Sequence, residues 1–268
     1  RGWQYISLPL WAKDIVPNGK TGLRVPRWAD QKADWSDYDW WRASYELITC
    51  TYEREHEKTH GPIHSYSHKL DKSIYANFEY AWVNRIILFL RRWSSHLQNT
   101  VEKEVFGQLP KAIIHLTHDV DAVKKTLPIR LKQSIFCLYN GQIRNATKFL
   151  LSRGDYWQFA NIIALEQKHA RTSVWNFYGG TGGFLRTPGQ YLLDPDYNVG
   201  SARISKQIKE LVLKGHTIGL HPKFSTWKNT QQLKIEKERV EKSLGENINY
   251  IRQHWLRFSF SETWKMQA

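Results

Sequence analysis

The chain has 268 residues, enough for one large domain or two smaller ones, and its 41% hydrophobic and 24% charged residues are those of a globular protein, which excludes a wholly disordered one. No apolar run reaches the roughly 18 residues that cross a bilayer, since the best stretch, 81–90, is interrupted by Asn84 and Arg85; a transmembrane segment is therefore not expected. The formal charge of +14 is uneven: residues 1–108 carry 15 basic and 13 acidic side chains and residues 109–268 carry 24 and 12, so the second part would draw nucleic acid, an anionic membrane surface or an acidic polymer by its field alone.

Residues 1–108 read as an aromatic-rich, mainly helical region. One helical pattern covers 38–60 and a clearer one covers 77–97, where Tyr80, Val83, Ile87 and Leu90 recur at three- and four-residue steps. The Gly-Pro and Ser content of 61–72 reads as an ordered loop. Within the first pattern, His56-Glu57-Lys58-Thr59-His60 fits the H-E-x-x-H spacing of zinc proteases, in which one helix face presents both imidazoles and the Glu is the base. Charged Lys58 and the helix-ending Gly61-Pro62 count against that metalloprotease-like alternative, and His64 and His68 extend the four-residue series. Cys50 and Cys137 read as inert buried thiols, since two cysteines make no disulfide scaffold.

From about residue 109 the rhythm becomes strand, helix, strand. Short β-rich runs are predicted at 112–117, 172–178, 216–221 and 248–254, with helices at 201–214, ended by Gly215, and at 229–244. Alternating units of this kind predict an α/β fold with parallel strands, whose catalytic groups gather at the C-terminal strand ends. Those ends carry Asp119 and Asp121, Gly179 to Gly183, His221 with Ser225, and Arg252 with His254. Asp119 and Asp121 are two residues apart and so share one side of an extended chain, where two carboxylates repel unless a cation or a shared proton lies between them. His221 could add a nitrogen ligand and Ser225 an oxygen, which together describe an open, catalytic Zn²⁺ site. The glycine run lacks the Lys-Ser or Lys-Thr of a phosphate loop and reads as a mobile loop beside the site, with Gly180, Gly182 and His254 assigned to substrate binding. His115 reads as a core histidine and His216 as structural, whereas Tyr178 and Trp255 could stack on sugar rings or pack in the core.

Residues 110–258 resemble the polysaccharide deacetylases of the NodB-homology carbohydrate esterase superfamily. Thr117-His118-Asp119-Val120-Asp121 resembles the family's Thr-Phe-Asp-Asp motif with one residue inserted. Gly215-His216-Thr217-Ile218-Gly219-Leu220-His221 followed by Ser225 resembles its metal-binding His motif, and Arg252 its base-orienting Arg. The resemblance implies a metal-dependent hydrolase that removes N-acetyl groups from a polysaccharide or oligosaccharide. It makes Asp119 the base, Arg252 its catalytic partner, and Asp121, His221 and Ser225 the ligands of a divalent metal, Zn²⁺ first; the inserted Val120 leaves the two Asp roles open to exchange. A cyclic-amide hydrolase on the same scaffold is a neighbouring reading. The family's later Asp motif and Leu-x-His general acid are absent from this sequence, so the resemblance implies a partial irregular (β/α) barrel after a helical region. Arg1 at the start and a single Met at position 266 fit the same expectation of a processed or partial chain, from either the cytoplasm or the cell envelope. An acetylated glycan is the expected partner. Nucleic acid is not expected, because the lysines fall on several helix faces without a binding motif, and a basic nucleic-acid-binding module is the rival reading from another class.

Overall fold

The computed structural model describes residues 2–30, 32, 34–62, 64, 75–152, 154–182 and 186–268; His68 and Gly183 lie outside them. The chain is mixed α/β and divides into two compact units. One takes in the described residues before Pro62 and those from Tyr75 to Ile113, and the other takes in Ile114–Ala268 with Pro62 and His64.

The first unit is not purely helical. Strands β1 (Gly2–Ile6) and β2 (Leu23–Arg27) pair antiparallel, with Ile6 opposite Leu23, and bury Ile6, Leu23 and Val25. Two five-residue strands, one of them containing Pro26, are too short for their alternation to stand out in the sequence. The single helix expected over 38–60 is two: α1 (Trp40–Ile48), whose first turn is capped by the Asp39 carboxylate on the Arg42 N–H, and α2 (Thr51–His60). Cys50 between them takes a left-handed φ of 52°, which stops the first helix, and its thiol is half-buried instead of buried. In α3 (Trp82–Leu97) the buried stripe is Trp82, Ile86 and Phe89, one residue out of step with the expected one, and Ile87 faces solvent. The aromatic rings decide this: Phe89 meets Trp11, Trp35, Trp40 and Trp93 at centroid distances of 5.0–6.2 Å, so the helix turns its bulkiest residues inward. A short α4 (Glu102–Phe106) follows.

The second unit is built on a parallel three-stranded sheet in the order β3 (Leu116–Val120), β4 (Ser173–Tyr178), β5 (Thr217–His221). The first strand starts four residues later than expected because β4 begins at Ser173, the partner of Leu116; residues 112–115 have no such partner, and His115 is exposed instead of entering the core. The run at 248–254 forms one rung only. Ile251 bridges Leu220 in parallel, through Tyr250 O to Leu220 N at 2.8 Å and Arg252 N to Leu220 O at 2.9 Å. Between β3 and β4 lie α5 (Leu127–Tyr139), α6 (Ile143–Leu151) and α7 (Phe159–Lys168). Between β4 and β5 lie α8 (Pro188–Leu193) and α9 (Ala202–Leu213); α10 (Thr230–Leu244) and α11 (Thr263–Gln267) complete the chain.

Alternation gives the sheet two unlike faces. Val120, Trp175, Phe177, Ile218 and Leu220 point into an apolar core with Phe159 and Ile163 of α7, Ile204, Ile208 and Leu211 of α9, and Leu233 and Val240 of α10. The other face carries Asp119, Asn176 and Gly219 on one rung and Tyr178 with His221 two residues further on. The site is assembled on this polar face.

Candidate metal centre

Among the described residues, one group of three metal-ligating side chains converges: Asp121, His221 and His254. Asp121 follows directly on β3, His221 ends β5, and His254 lies beyond the rung at Ile251, so all three stand at the C-terminal edge of the sheet. His221 Nε2 is 3.2 Å from Asp121 Oδ1, His254 Nδ1 is 3.4 Å from the same oxygen, and the two nitrogens are 2.7 Å apart. Ligand atoms around a tetrahedral ion with bonds of about 2.1 Å stand about 3.4 Å apart, so two of the three separations fit such an ion closely and the third needs a small opening.

The outward nitrogens show what the centre requires. His221 Nδ1 is 2.6 Å from the Arg252 carbonyl and His254 Nε2 is 2.6 Å from the Leu193 carbonyl. A carbonyl oxygen only accepts, so each outward nitrogen must carry the hydrogen, and in neutral rings both inward nitrogens present lone pairs. Three lone-pair atoms then face one another, which is repulsive unless a proton or a metal cation sits among them. Histidines held in this way by backbone carbonyls are the usual second layer of a metal site. The residues fit a divalent ion on this ground, and two imidazoles with one carboxylate could hold it. Burial and the neighbouring His221 push His254 down to about 4, so its imidazole is neutral and ready to ligate at neutral pH. Partial desolvation pushes the Asp121 carboxyl up, but the nearby His221, His254 and Lys132 nitrogens, each of which favours a carboxylate when it carries a proton, outweigh that and hold it below the usual carboxylate range.

Both histidines are buried, whereas the Asp121 side chain is 60% exposed, so the centre opens to solvent on that side. Three protein ligands and an open side are the arrangement of catalytic sites; structural zinc sites are closed by four. Lys132 reaches in from α5, bonded to the Leu192 carbonyl, and stands 5.2 Å over the Trp255 ring. Trp255 and Leu256 both adopt left-handed backbone, φ 58° and 52°, directly after His254. Such strain costs about 1–2 kcal/mol per residue and persists only where the surroundings impose it. The indole N–H of Trp255 shares the Leu193 carbonyl with His254, at 2.8 Å, and holds the strained turn in place.

Beside the group stands Asp119. Its Oδ2 is 3.2 Å from Arg252 Nε and its Oδ1 accepts from Asn176 Nδ2 at 3.1 Å, while Arg252 Nη1 donates to Thr117 Oγ1 at 2.7 Å. The side chain is thus fixed from two sides.

The other expected site residues lie elsewhere. Ser225 sits on the 3-10 turn Phe224–Lys228 with its side chain exposed, and the third member of the group is His254, expected at the substrate. Gly180 is buried, because a Cβ there would meet the Tyr178 ring at 2.0 Å; Gly182, φ 62°, is packed on the backbone of Tyr197. Both glycines therefore serve packing. Tyr178 is buried as well. In α2 the His56 and His60 rings stack at 4.0 Å, and with Glu57 they form no converging metal group among the described residues. His64 packs edge-on against Phe224 at 5.4 Å. At the opposite end of the sheet His118 pairs with Glu166 at 2.8 Å, and the other oxygen of Glu166 accepts from Ser173 at 2.9 Å. His216 accepts the Ser173 N–H at 3.2 Å, which ties the strand starts together. Asn176, Lys132 and the two carbonyls carry no local signal, because they act on positions distant along the chain.

No protein-family model, no curated protein and no solved structure matches this chain.

Proposed function

We propose that the chain carries the site of a metal-dependent hydrolase that removes N-acetyl groups from a polysaccharide or oligosaccharide. The supporting observation is the meeting of three lone-pair atoms, from Asp121, His221 and His254, beside a carboxylate, Asp119, that no ligand role occupies. Two imidazoles in the donor set favour Zn²⁺ over Mg²⁺ or Ca²⁺, which prefer oxygen. When bound, the ion supplies Lewis-acid activation of water and of the acetamide carbonyl.

The chain's own residues do the rest. Asp119 takes the proton of the attacking water, with Arg252 and Asn176 holding its two oxygens so that the proton is accepted in one orientation. Arg252 is a positioning residue, and its carbonyl also orients His221, so one residue sets both the base and a ligand. Addition of the water oxygen to the carbonyl carbon and cleavage of the C–N bond release acetate and the amine, which takes up a proton. Lys132, whose charge acts on Asp121, suits the developing negative charge. The resemblance to NodB-type deacetylases supports this order of roles, with Asp119 as base and Asp121 as ligand, and supports a barrel of which the three-stranded sheet is a part.

The test is Zn²⁺ titration by calorimetry, combined with acetate release from N-acetylglucosamine oligomers. One equivalent should bind to the unaltered protein and to His56→Ala/His60→Ala, and none to Asp121→Ala/His221→Ala. Asp119→Ala should keep the metal and lose acetate release by about two to four orders of magnitude. Undiminished acetate release in Asp119→Ala would overturn the deacetylase reading and leave the metal centre standing.

A further inference from the structure

The hairpin of α5 and α6 is packed inside out. Its two helices meet through small residues: Ser134 and Cys137 of α5 are buried against Ala146 of α6, and the Ser134 hydroxyl donates to the Ala146 carbonyl at 2.8 Å. The large apolar side chains point away. Leu127, Leu131, Ile135 and Leu138 follow at four-, four- and three-residue steps as one exposed stripe, followed by Tyr139, which is 88% exposed; on α6 Leu151 is 77% exposed. A water-facing hairpin buries its long apolar residues and exposes its small and polar ones, so a contiguous stripe of this kind marks a surface with a partner.

The charge identifies the partner. Residues 122–152 contain six lysines and arginines and no acidic residue. On α6, Arg144, Lys148 and Leu151 follow at i, i+4 and i+7, so exposed cations run along the same helix face as an exposed apolar residue. We propose that the α5–α6 hairpin docks on an anionic lipid bilayer, its apolar stripe entering the interface and Arg144 and Lys148 meeting lipid phosphates. Apolar stripes with Lys and Arg beside them are the pattern of helices that lie in the membrane interface. A second copy of the chain would bring basic hairpin against basic hairpin, and a nucleic acid would leave the apolar stripe in water; a bilayer satisfies both features at once.

The experiment is vesicle flotation with the full chain, using phosphatidylcholine alone and phosphatidylcholine with phosphatidylglycerol. Binding should require phosphatidylglycerol and weaken with salt. Arg144→Ala/Lys148→Ala should lower the affinity by about tenfold or more, and Ile135→Asp/Tyr139→Asp should abolish binding, with thermal unfolding unchanged in both. Lys209→Ala/Lys214→Ala removes the same charge from exposed positions elsewhere and should bind as the unaltered protein does. No binding to the anionic vesicles would overturn the proposal. So would equal loss in the two lysine and arginine pairs, or a dimer dispersed by Ile135→Asp/Tyr139→Asp without vesicle binding.

Discussion

Asn176 lies across Gly219. A Cβ on that glycine would come within 2.3 Å of Asn176 Oδ1 and 3.0 Å of the Tyr250 carbonyl, so the side chain that steadies Asp119 occupies the space a larger residue would need. Gly219→Ala is expected to cost about 1–3 kcal/mol, the usual range for overpacking a closed interior. Its effect on function should be selective. Acetate release should fall with the displacement of Asn176, while Zn²⁺ stoichiometry, set by side chains on other rungs, should persist. Denaturant unfolding together with calorimetry separates the two.

Tyr197 performs a related task between β3 and β4. Its buried hydroxyl accepts the Tyr178 N–H at 2.6 Å and donates to the Val120 carbonyl at 2.9 Å, joining the strand ends next to Asp121. Tyr197→Phe leaves both backbone groups unpaired in the interior and should cost about 2–4 kcal/mol, from two unmade bonds. With Val120 released, Asp121 loses its anchor, and Zn²⁺ affinity should drop while the two histidines stay in place. An affinity equal to that of the unaltered protein would show that Asp121 is held by other contacts.

The metal-free protein should lose stability in mild acid. An unfolded histidine takes up its proton near pH 6.5, but burial keeps His254 unprotonated in the folded chain down to about 4. Between those values the unfolded state binds more protons, so stability falls as pH falls through the window and levels off below it. Asp121, whose folded carboxyl is held low, acts in the same direction at the acid end. The His254 contribution is at most about 3 kcal/mol, at 1.36 kcal/mol per unit. Urea unfolding of chelator-treated protein at pH 7.5 and 5.0 should show the decline, and His254→Phe should flatten it. Parallel behaviour of the two proteins would locate the acid sensitivity elsewhere.

How much of this was legible in the sequence depends on what fixes each element. Strand β4 and helices α9 and α10 fall within a residue or two of their expected bounds, because continuous apolar patterns and clear stops such as Gly215 define them locally. Strand β3 was displaced because its start depends on where Ser173 begins the neighbouring strand, which local propensity does not contain. His221 and one carboxylate of the Asp119–Asp121 pair were readable as candidate metal ligands from residue type and position at strand ends, and the resemblance to NodB-type deacetylases pointed to Asp121. His254 reads as a rim residue at the substrate, since its place in the converging group depends on the turn after Arg252 and on the Leu193 carbonyl, 61 positions away. The α5–α6 hairpin is silent in the sequence for a different reason: helical periodicity predicts a face, and among the described residues its apolar face meets no core.

Glu236 offers the clearest test of whether a buried charge is structural. Fully buried on α10, its Oε2 accepts the Lys223 N–H at 2.9 Å and its Oε1 accepts from Thr226 at 3.0 Å and Gln232 at 2.7 Å, which fixes the turn that follows His221. The helix is pressed against the end of β4 at this point, where a Cβ on Gly179 would meet Glu236 Cβ at 2.6 Å, so the carboxylate has no room to move away. Burial pushes its carboxyl up despite the three donors, and a group raised in the folded state loses stability as pH rises through its folded value. Removing the charge relieves that burial penalty, but the geometry opposes a net gain. In Glu236→Gln the amide oxygen can satisfy Thr226 and Gln232, and the amide nitrogen then faces the Lys223 N–H, donor against donor. A loss of about 1–3 kcal/mol at pH 7 is expected, larger than the relief from the missing charge, with a weaker decline of stability as pH rises above the ordinary glutamate range. A more stable Glu236→Gln protein at pH 7 would mean that the Lys223 turn finds another acceptor.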